Sequence, residues 1–533
     1  MSGGPPAGRR AVLGGLAGAV GMGIVAGAGM ARADGPAPKV DTTAGAVSGR
    51  REDGVTVFRG IRYGADTGPR RFQPPEPPRP WAGVLPAEAF GPACPQRSRT
   101  PGAQSEDCLF LNVWTPSPDR AARRPVLVYI HGGAFSNGAG DDPLTDGARL
   151  ARRADAVVVT LNHRLNLFGY LYLARLGGPD LGDSGNCGQL DLLLALRWVR
   201  DNIEGFGGDP GTVTLFGQSG GGAKIATLMA TPAAAGLFHS TWTMSGQQVT
   251  ASGPLNATRR TLAFLDATGV GRDTVDTLRA MPPDRLLAGL AVTDPVIGRG
   301  GLYMGPVLDQ RTLTRHPFFP DAPPQSAAVP MVIGNTRGET RNLIGRGEPD
   351  VFALTWAGLP ERLAEHMRAD IAPEAVIDAY RRVYPGIGPT DLFFAATTAA
   401  RSWRGAVIEA EERAKQGAPT WAYQLDWPSP LDGGKWGAPH TLDIPLVFGT
   451  LEAPGSYSGA GPEAAALSAL MMDRLAAFAR TGDPALAGAA PWPRYTLPAR
   501  TTMLFDTVSR AVDDPRGAER ALFAKVPFIQ WGT

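Results

Sequence analysis

The pentapeptide GQSGG at residues 217–221 places a serine among small residues in the order G-x-S-x-G. It directly follows the apolar run TVTLF and opens a helical pattern, which is the strand–turn–helix context that exposes a nucleophilic serine. Such a turn is sharp, so the residues two before and two after the serine must be small, and the helix N-terminus favours developing negative charge. With 69 glycines in 533 residues, the pentapeptide alone is a weak signal. Its context predicts that Ser219 is a nucleophile.

A second glycine-rich segment follows an earlier apolar run. Residues 131–135 read HGGAF and come directly after PVLVYI. A loop in this position can direct backbone N–H groups at the oxygen of an acyl group. We expect the donors of this oxyanion hole to be Gly133, Ala134 and Gly220, the last of which follows Ser219. The two motifs in this order, each after its own strand, predict acyl-transfer chemistry far more strongly than either alone.

A serine nucleophile needs a base, and histidine titrates near neutral pH. Of the six histidines, only those after Ser219 fit the chain order serine, acid, histidine. His239 follows the nucleophile segment too closely, His316 precedes the next apolar run, and His366 lies in a charged helical pattern. His440 lies in the loop GGKWGAPHTLDIP, from which an imidazole can reach the serine. We therefore predict His440 as the base.

The third group must orient the imidazole and stabilise its charged form. Glu339 follows the apolar run VPMVI, so it lies in a loop at the carboxyl end of a strand and between the serine and the histidine. Asp309, Asp350 and Asp443 are competitors. Asp443 lies three residues past His440 and is better explained as a local cap or partner. We predict Glu339 as the acid.

The elements that must position these residues alternate along the chain. Short apolar runs, typical of buried strands in a mostly parallel sheet, occur at residues 125–130, 156–161, 212–216 and 329–333. Helical patterns occur at residues 190–203, 220–230 and 467–480. This alternation predicts an α/β fold with helices on both faces and an active site beyond the carboxyl ends of the strands. The Pro- and Gly-rich stretches 64–102 and 428–440 are expected to be loops.

Composition limits the other classes of function. Hydrophobic residues make up 43% of the chain and charged residues 19%, which predicts a packed core. Lys and Arg number 52 against 50 Asp and Glu, so nothing indicates a nucleic acid or an acidic membrane surface as partner. No repeat or convincing linker divides the chain, which predicts a single domain over residues 34–533.

The first 33 residues resemble a targeting segment. Arg9 and Arg10 precede an apolar, Gly-rich stretch over residues 11–30, and Ala-Arg-Ala at 31–33 offers a cleavage site. The paired arginines indicate a twin-arginine export signal and hence an extracytoplasmic or secreted protein without a stable membrane span. The alternative is an uncleaved anchor, since the stretch is about long enough to span a bilayer.

The three cysteines are Cys94, Cys108 and Cys187. Export would allow disulfides, and a bond that closes the short loop from Cys94 to Cys108 would contribute about 3 kcal/mol. Without a C-x-x-C spacing, no zinc site is predicted. The chemistry proposed for the serine needs no metal or organic cofactor.

Together, these motifs resemble the type-B carboxylesterase family, which includes cholinesterases and bacterial carboxylesterases and has the α/β-hydrolase fold. The resemblance runs from about residue 40 to 507. It is carried, in order, by FRGIRYG, RRFQPP, SEDCLFLNVWTP, FGGDPGTVTLFGQSGGG, GPVLDQ, IGNTRGE, GAPHTLDIPLVFG, FARTGDP and WPRYT. The SEDCLFLNVWTP segment closely matches a family signature, which implies a disulfide from Cys108 to Cys94.

The resemblance assigns the same catalytic triad of Ser219, Glu339 and His440, and the same three oxyanion donors. It adds Ser245, in MSGQ, as a buried serine that supports the acid and the base. From the residues alone, Ser245 is equally well explained as an ordinary serine at a helix entry.

The chain departs from the family pattern beside the nucleophile. Glutamate usually precedes the serine, as in G-E-S-A-G, but here Gln218 takes that place and Gly220 replaces the common alanine. A neutral glutamine removes a carboxylate next to the serine. We therefore expect neutral esters to be preferred over cationic choline esters.

These observations predict a serine hydrolase that cleaves small-molecule carboxylic esters through an acyl-enzyme. One alternative is a serine hydrolase that acts on amides, carbamates or peptides, because leaving-group choice depends on pocket shape. Another is a non-catalytic binding protein on the same fold, although such relatives commonly lack the nucleophile. Phe135 is a candidate for the pocket wall, while oligomeric state and acyl preference are left open.

Overall fold

The largest element of the fold is a mixed sheet of eleven strands, in the order β14-β13-β12-β11-β10-β9-β7-β8-β6-β4-β3. The computed structural model describes residues 37–98, 100–530 and 532–533, so the predicted export signal lies outside the described residues. The strands are β1 (Lys39–Asp41), β2 (Ala46–Ser48), β3 (Arg50–Glu52), β4 (Val55–Arg62), β5 (Val84–Pro86), β6 (Phe110–Thr115), β7 (Arg124–Ile130), β8 (Val157–Leu161), β9 (Gly208–Gln218), β10 (Ser240–Met244), β11 (Met331–Thr336), β12 (Thr420–Leu425), β13 (Thr501–Phe505) and β14 (Arg510–Asp513). β1, β2 and β5 form a separate small sheet.

Helices connect most of the central strands. They are α1 (Ala148–Ala154), α2 (Asn166–Tyr170), α3 (Cys187–Asn202), α4 (Gly220–Met229), α5 (Pro254–Thr268), α6 (Pro283–Gly289), α7 (Thr340–Leu343), α8 (Leu359–His366), α9 (Pro373–Val383), α10 (Pro389–Thr398), α11 (Arg404–Lys415), α12 (Asp443–Phe448), α13 (Pro462–Thr481) and α14 (Gly517–Phe523). A π-helical turn, Ala399–Trp403, joins α10 to α11.

The centre of the sheet is parallel and its edges are antiparallel. Every pair from β13 through β12, β11, β10, β9 and β7 to β8 is parallel. At the edges, β14 pairs antiparallel with β13, and β6, β4 and β3 continue antiparallel from β8. The predicted mostly parallel α/β fold is confirmed.

Helices cover both faces of this sheet, as predicted. Val126 and Val128 of β7 pack in one hydrophobic core together with residues of α3 and α4. The alternate residues Leu127 and Tyr129 pack in a second core with α12 and α13. Because successive side chains of a strand point to opposite faces, a strand covered on both sides is apolar throughout. In the described part of the chain, no helix combines the length and hydropathy needed to cross a membrane.

The cysteines differ from the prediction. Cys94, Cys108 and Cys187 are all free, buried thiols, so the predicted Cys94–Cys108 disulfide is absent. The sulfur of Cys94 accepts a hydrogen bond from the backbone N–H of Leu165 at 3.3 Å. A hydrogen bond between the two thiols, together with burial, raises the pKa of Cys108. The two thiols therefore lie next to each other without a covalent bond.

Candidate active site

The predicted site residues lie at one edge of the sheet. β7, β9, β10 and β11 are parallel neighbours, so their carboxyl ends reach the same edge. The HGGAF segment follows β7, Ser219 follows β9, and Glu339 lies shortly after β11. His440 lies in the loop between β12 and α12. Loops from adjacent strands therefore converge, as expected of an open α/β sheet.

Ser219 occupies the sharp turn that its motif predicts. Its backbone has φ 55° and ψ −123°, a conformation that is costly for a residue with a side chain. Its N–H donates to the carbonyl of Met244 at 2.7 Å. A Cβ on Gly221 would lie 1.9 Å from the carbonyl oxygen of Ile130, so this position must be glycine. The packed backbone around the turn thus holds the strained serine in place.

The oxyanion loop, defined as residues 131–135, lies against the start of α4. Gly133 and Ala134 have φ of 82° and 52°. A Cβ on Gly220 would lie 2.1 Å from the carbonyl oxygen of Ala134, so the alanine common in the family does not fit this loop as it stands. Within the described ranges, the N–H groups of Gly133 and Ala134 have no backbone or side-chain acceptor. Gly220 begins a helix, so its N–H lacks an acceptor inside the helix.

Lys224, on the inner face of α4, was not predicted as part of the site. Its ammonium group donates to the carbonyl of His131 at 3.0 Å and lies 5.9 Å from the ring centroid of Phe135. Burial lowers the pKa of Lys224 to about 7. This side chain therefore contacts both ends of the oxyanion loop. A lysine within the otherwise apolar segment GGGAKIATLMA was the available sequence signal.

Glu339 and His440 form a hydrogen-bonded pair between Oε2 and Nδ1. Oε1 of Glu339 accepts from the backbone N–H of Thr336 at 2.8 Å and from Nδ2 of Asn335 at 3.3 Å. Glu339 is fully buried, which by itself raises its pKa. The charge and hydrogen bond of His440, together with hydrogen bonds from Ser245 and Thr336, outweigh burial, so the pKa is lowered. Asn342 Nδ2 donates to the His440 carbonyl at 2.7 Å, which fixes the backbone behind the ring.

Ser245 lies beside this pair, directly after β10. A hydrogen-bonding contribution from its hydroxyl helps to lower the pKa of Glu339. By strict geometry, the buried hydroxyl has no hydrogen-bond partner among the described residues. A hydroxyl hydrogen can rotate toward a neighbouring acceptor, here the carboxylate of Glu339. Ser245 therefore faces the acid, where the resemblance puts it.

The other ring nitrogen of His440, Nε2, is hydrogen-bonded to the side-chain amide of Gln218. Nε2 of His440 lies 3.1 Å from Nε2 of the Gln218 amide. Because the carboxylate of Glu339 can only accept, Nδ1 carries the hydrogen and the other nitrogen accepts from the amide. No hydrogen bond links Ser219 to His440 directly in the part of the chain described. Both residues nevertheless line one open cavity of about 580 Å³.

The competing acids have other structural roles. Asp309 Oδ1 accepts from the backbone N–H groups of residues 311–313 and organises a turn. Asp350 is exposed and pairs with Arg362 at 3.0 Å. Asp443 is buried and accepts from Tyr423 Oη at 2.9 Å. Burial and the nearby charge of Glu339 raise the pKa of Asp443 to about 7.

The cavity wall contains residues that the sequence did not single out. Phe135 lines the cavity, as predicted, and Tyr303 and Phe528 add aromatic surface. Arg368 and Arg401 also line the cavity, and nothing in their local sequence indicates it. They lie far from the motifs in the chain, so only the folded structure brings them to the serine.

A serine on a sharp strand–helix turn, at the carboxyl edge of a mostly parallel sheet, defines the α/β-hydrolase class. Residues 36–523 match the model of the "Carboxylesterase family". The chain is 36% identical to para-nitrobenzyl esterase of Bacillus subtilis over 502 residues, 90% of this chain and 97% of that protein. It is 33% identical to phenmedipham hydrolase of Pseudarthrobacter oxydans over 491 residues, 86% and 93% of the two chains.

Solved structures agree with these relatives. A crystal structure of a Geobacillus stearothermophilus carboxylesterase superposes with a TM-score of 0.81 at 37% identity and covers 91% of this chain and 99% of its own. The chain therefore belongs to the carboxylesterase family and has the α/β-hydrolase fold. It is a serine hydrolase that cleaves carboxylic esters.

Proposed function

We propose that the protein hydrolyses small carboxylic esters through an acyl-enzyme, with Ser219 as nucleophile, His440 as base and Glu339 as acid. The observation that carries this proposal is the buried hydrogen bond between Glu339 and His440. The imidazole of His440 lines the same cavity as Ser219, whose backbone is strained. The N–H groups of Gly133 and Ala134 have no acceptor among the residues that the structure describes, and both residues line the same cavity, which supports their role as oxyanion donors.

In the first step, the Ser219 hydroxyl replaces the Gln218 amide as the hydrogen-bond partner of His440. Nε2 takes the hydroxyl proton as the oxygen attacks the ester carbonyl. Backbone donors hold the oxyanion, and loss of one such donor typically costs about 3–4 kcal/mol. Glu339 stays ionised and stabilises the imidazolium, which then protonates the departing alcohol. In the second step, His440 activates a water molecule that cleaves the acyl-enzyme.

The site also supports a preference for neutral over choline esters. Gln218, next to the nucleophile, is neutral, and the described residues that line the cavity include neither Asp nor Glu. The only carboxylate in the triad, Glu339, is fully buried behind His440. A quaternary ammonium group would therefore enter the cavity without a compensating negative charge.

Replacement of Ser219 by alanine tests the proposed function. Ser219→Ala should reduce hydrolysis of 4-nitrophenyl butyrate to background and abolish covalent labelling by an organophosphate, because both need the same oxygen. Ser98→Ala, at an exposed loop position, is the control and should keep full activity and labelling. A folded Ser219→Ala protein with wild-type turnover would overturn the proposal.

The same residues could also cleave amides or carbamates, and one relative bears the name phenmedipham hydrolase. Initial rates on a matched ester and anilide, each measured with the Ser219→Ala control, separate the two possibilities. Faster cleavage of the anilide would show that the protein is a hydrolase of amides or carbamates.

A further inference from the structure

Lys224 places a buried cation directly behind the active site. It lies in the second turn of α4, the helix that begins after Ser219, and is 0% exposed. The described lining of the active-site cavity includes the neighbouring Ala223 but not Lys224. The ammonium group therefore lies behind the cavity wall, and any effect on the reaction must pass through the residues that it contacts.

The contact that Lys224 makes lies where the hydrogen bonding of the sheet stops. β7 ends at Ile130, so His131 is the first residue beyond that strand. Lys224 Nζ donates to the carbonyl of His131 at 3.0 Å. At the other end of the oxyanion loop, the carbonyl of Phe135 accepts from the backbone N–H of Asn166 at 2.7 Å. The loop is therefore hydrogen-bonded to α4 at one end and to α2 at the other.

Between these two contacts the loop is strained. Gly133 and Ala134 both have positive φ, 82° and 52°, and this conformation is costly for the alanine. A strained segment keeps its shape only where the surrounding structure holds it. The hydrogen bond from Lys224 is one of the contacts that hold these two residues next to Ser219.

The groups around Lys224 do not neutralise its charge. α4 packs against β7, β9, β10 and the turn Pro232–Ala234. Among the described residues, the titratable groups that interact with the ammonium are His131 and His163, whose rings stack at 4.9 Å. Burial and the charge of Lys224 lower the pKa of both imidazoles, that of His131 to about 3, so both rings are neutral at pH 7.

The stability of the fold therefore does not explain a lysine at this position. Buried lysines are normally paired with a carboxylate, because a charge without one is costly in a dry environment. Burial lowers the pKa of Lys224 to about 7, and no carboxylate in the described part of the chain acts against it. A methionine of similar length would fill the same space without a charge.

We infer that Lys224 is a positioning residue for ester hydrolysis, whose ammonium group holds the oxyanion loop so that the N–H groups of Gly133 and Ala134 meet the oxyanion. The inference rests on the proposed function, because it takes these groups as the oxyanion donors and Ser219 as the nucleophile. It goes further by adding a residue that acts through the loop. A charged donor makes a stronger hydrogen bond than a neutral one, so the effect should depend on the proton of Lys224.

Lys224→Met tests the inference by removing the donor and the charge together. With the loop less well positioned, kcat for 4-nitrophenyl butyrate should fall about tenfold or more, with little change in KM. Lys39→Met, at an exposed position at the start of β1, is the control and should keep wild-type kinetics.

A transition-state analogue reports on the oxyanion donors directly. In 1,1,1-trifluoro-2-heptanone the Ser219 oxygen adds to the carbonyl carbon, its proton passes to His440, and the carbonyl oxygen becomes the oxyanion. Inhibition by this ketone should weaken in Lys224→Met by about the same factor as kcat/KM falls. The control variant should bind the ketone as the wild type does.

The pH dependence separates the charge from a purely structural contact. Lys224 carries its proton below about pH 7, so the ratio of wild-type kcat/KM to that of Lys224→Met should be largest at pH 6 and should shrink toward pH 9. Both proteins contain His440, so the titration of that base cancels in the ratio. The same ratio taken with Lys39→Met should stay near one throughout.

Stability should change in the opposite direction from activity. Between about pH 7 and pH 10 the unfolded chain carries the Lys224 proton and the folded protein does not, so the wild type gains stability as pH rises. Lys224→Met should therefore melt at or above the wild-type temperature at pH 6, and this advantage should be smaller at pH 9.

The outcomes separate the inference from the proposed function. Unchanged kcat and ketone affinity in Lys224→Met, while turnover still depends on Ser219, overturn the inference and leave the proposed function intact. A ratio that is constant from pH 6 to pH 9 also overturns it. So does a Lys224→Met protein that melts well below the wild type at pH 6, because the lysine would then be a structural contact. Wild-type ester hydrolysis that persists in Ser219→Ala contradicts the proposed function itself.

Discussion

At the scale of single residues, Gln218 is the present hydrogen-bond partner of His440, the proposed base. Its amide donates to Nε2 of His440, the nitrogen that takes the serine proton in the proposed mechanism. That mechanism therefore requires the Ser219 hydroxyl to replace the amide as the partner of this nitrogen. An amide here is neutral at every pH, and in this orientation its NH₂ group stabilises the uncharged ring. A carboxylate in the same place would instead stabilise the imidazolium ion.

Gln218→Glu tests this role and the expected ester preference together. The new carboxylate, near the position now 3.1 Å from the ring nitrogen, should favour the charged imidazole and move the acidic limb of kcat/KM to higher pH. It should also raise the rate on butyrylcholine relative to its neutral isostere 3,3-dimethylbutyl butyrate. Wild-type protein should prefer the isostere. A wild-type preference for the choline ester would contradict the argument from Gln218.

Gly220 sets the position of the oxyanion loop. In Gly220→Ala the new methyl group would lie 2.1 Å from the carbonyl oxygen of Ala134, so the loop must move away from the serine. With its donors displaced, kcat for a 4-nitrophenyl ester should fall about a hundredfold with little change in KM. Gly461→Ala is the matched control, since its methyl group would meet nothing within 4 Å. Equal loss of activity in both variants would show a general effect of stability instead.

Several site residues could be predicted because each belongs to a short local pattern. Ser219 and the oxyanion loop follow apolar strands directly, and the chain order then selects Glu339 and His440. The bond between Gln218 and His440 could not be predicted, because it joins residues 222 positions apart. Arg401 was missed for a different reason. Its direction depends on a π-helical turn, and helical periodicity does not reveal a single extra residue in a turn.

At the scale of elements, the predicted strands and helices are found, with shifted ends. The run at residues 212–216 lies inside β9, which begins earlier at Gly208, and the helix predicted over 190–203 is α3, Cys187–Asn202. The core of each strand is set by burial on both faces and is visible as an apolar run. The extra residues of β9 are polar or small, so only pairing with β7 reveals them.

The first turn of α12 permits a prediction about pH. Burial and the charge of Glu339 raise the pKa of Asp443 to about 7. Between about pH 4 and pH 7, Asp443 is therefore protonated in the folded protein but ionised in the unfolded chain. The contribution of this group to stability is therefore present below about pH 4 and is lost as pH rises toward about 7. Asp443→Asn mimics the protonated form. It should match the wild type at pH 4 and exceed its free energy of unfolding at pH 8 by on the order of 4 kcal/mol.

The same experiment distinguishes the two acids by activity. Asp443→Asn keeps the hydrogen bond with Tyr423 available and should retain most turnover. Glu339→Gln removes the charge that stabilises the imidazolium and should lose at least a hundredfold in kcat on the scale of other triad acids. If Asp443→Asn were the inactive variant and Glu339→Gln the active one, the assignment of the acid would be reversed. Denaturant unfolding from pH 4 to 8 and initial rates provide the two measurements.

At the scale of the whole molecule, a buried ion pair joins parts of the chain that lie far apart in sequence. Arg164, in the loop after β8, binds Asp191 of α3 through its backbone N–H and its guanidinium group. The same guanidinium group donates to the carbonyl of Gln73 at 2.8 Å, in the long N-terminal loop. The side chains of Arg164 and Asp191 are only 2% and 0% exposed. This buried ion pair therefore connects the loop after β8, helix α3 and the N-terminal loop that contains Gln73.

Asp191→Asn should destabilise the whole fold without touching the serine. Removing one charge of a buried pair leaves the other without compensation in a dry environment, which typically costs about 3–5 kcal/mol. Asp473→Asn is the matched control, because Asp473 pairs with Arg153 at 2.7 Å but both side chains are 40% exposed. A pair so well solvated contributes less than about 1 kcal/mol. In thermal unfolding, the melting temperature should fall clearly in the first variant and stay near wild type in the second. Equal melting temperatures for the two variants would show that the buried Arg164–Asp191 pair contributes no more to stability than the exposed pair.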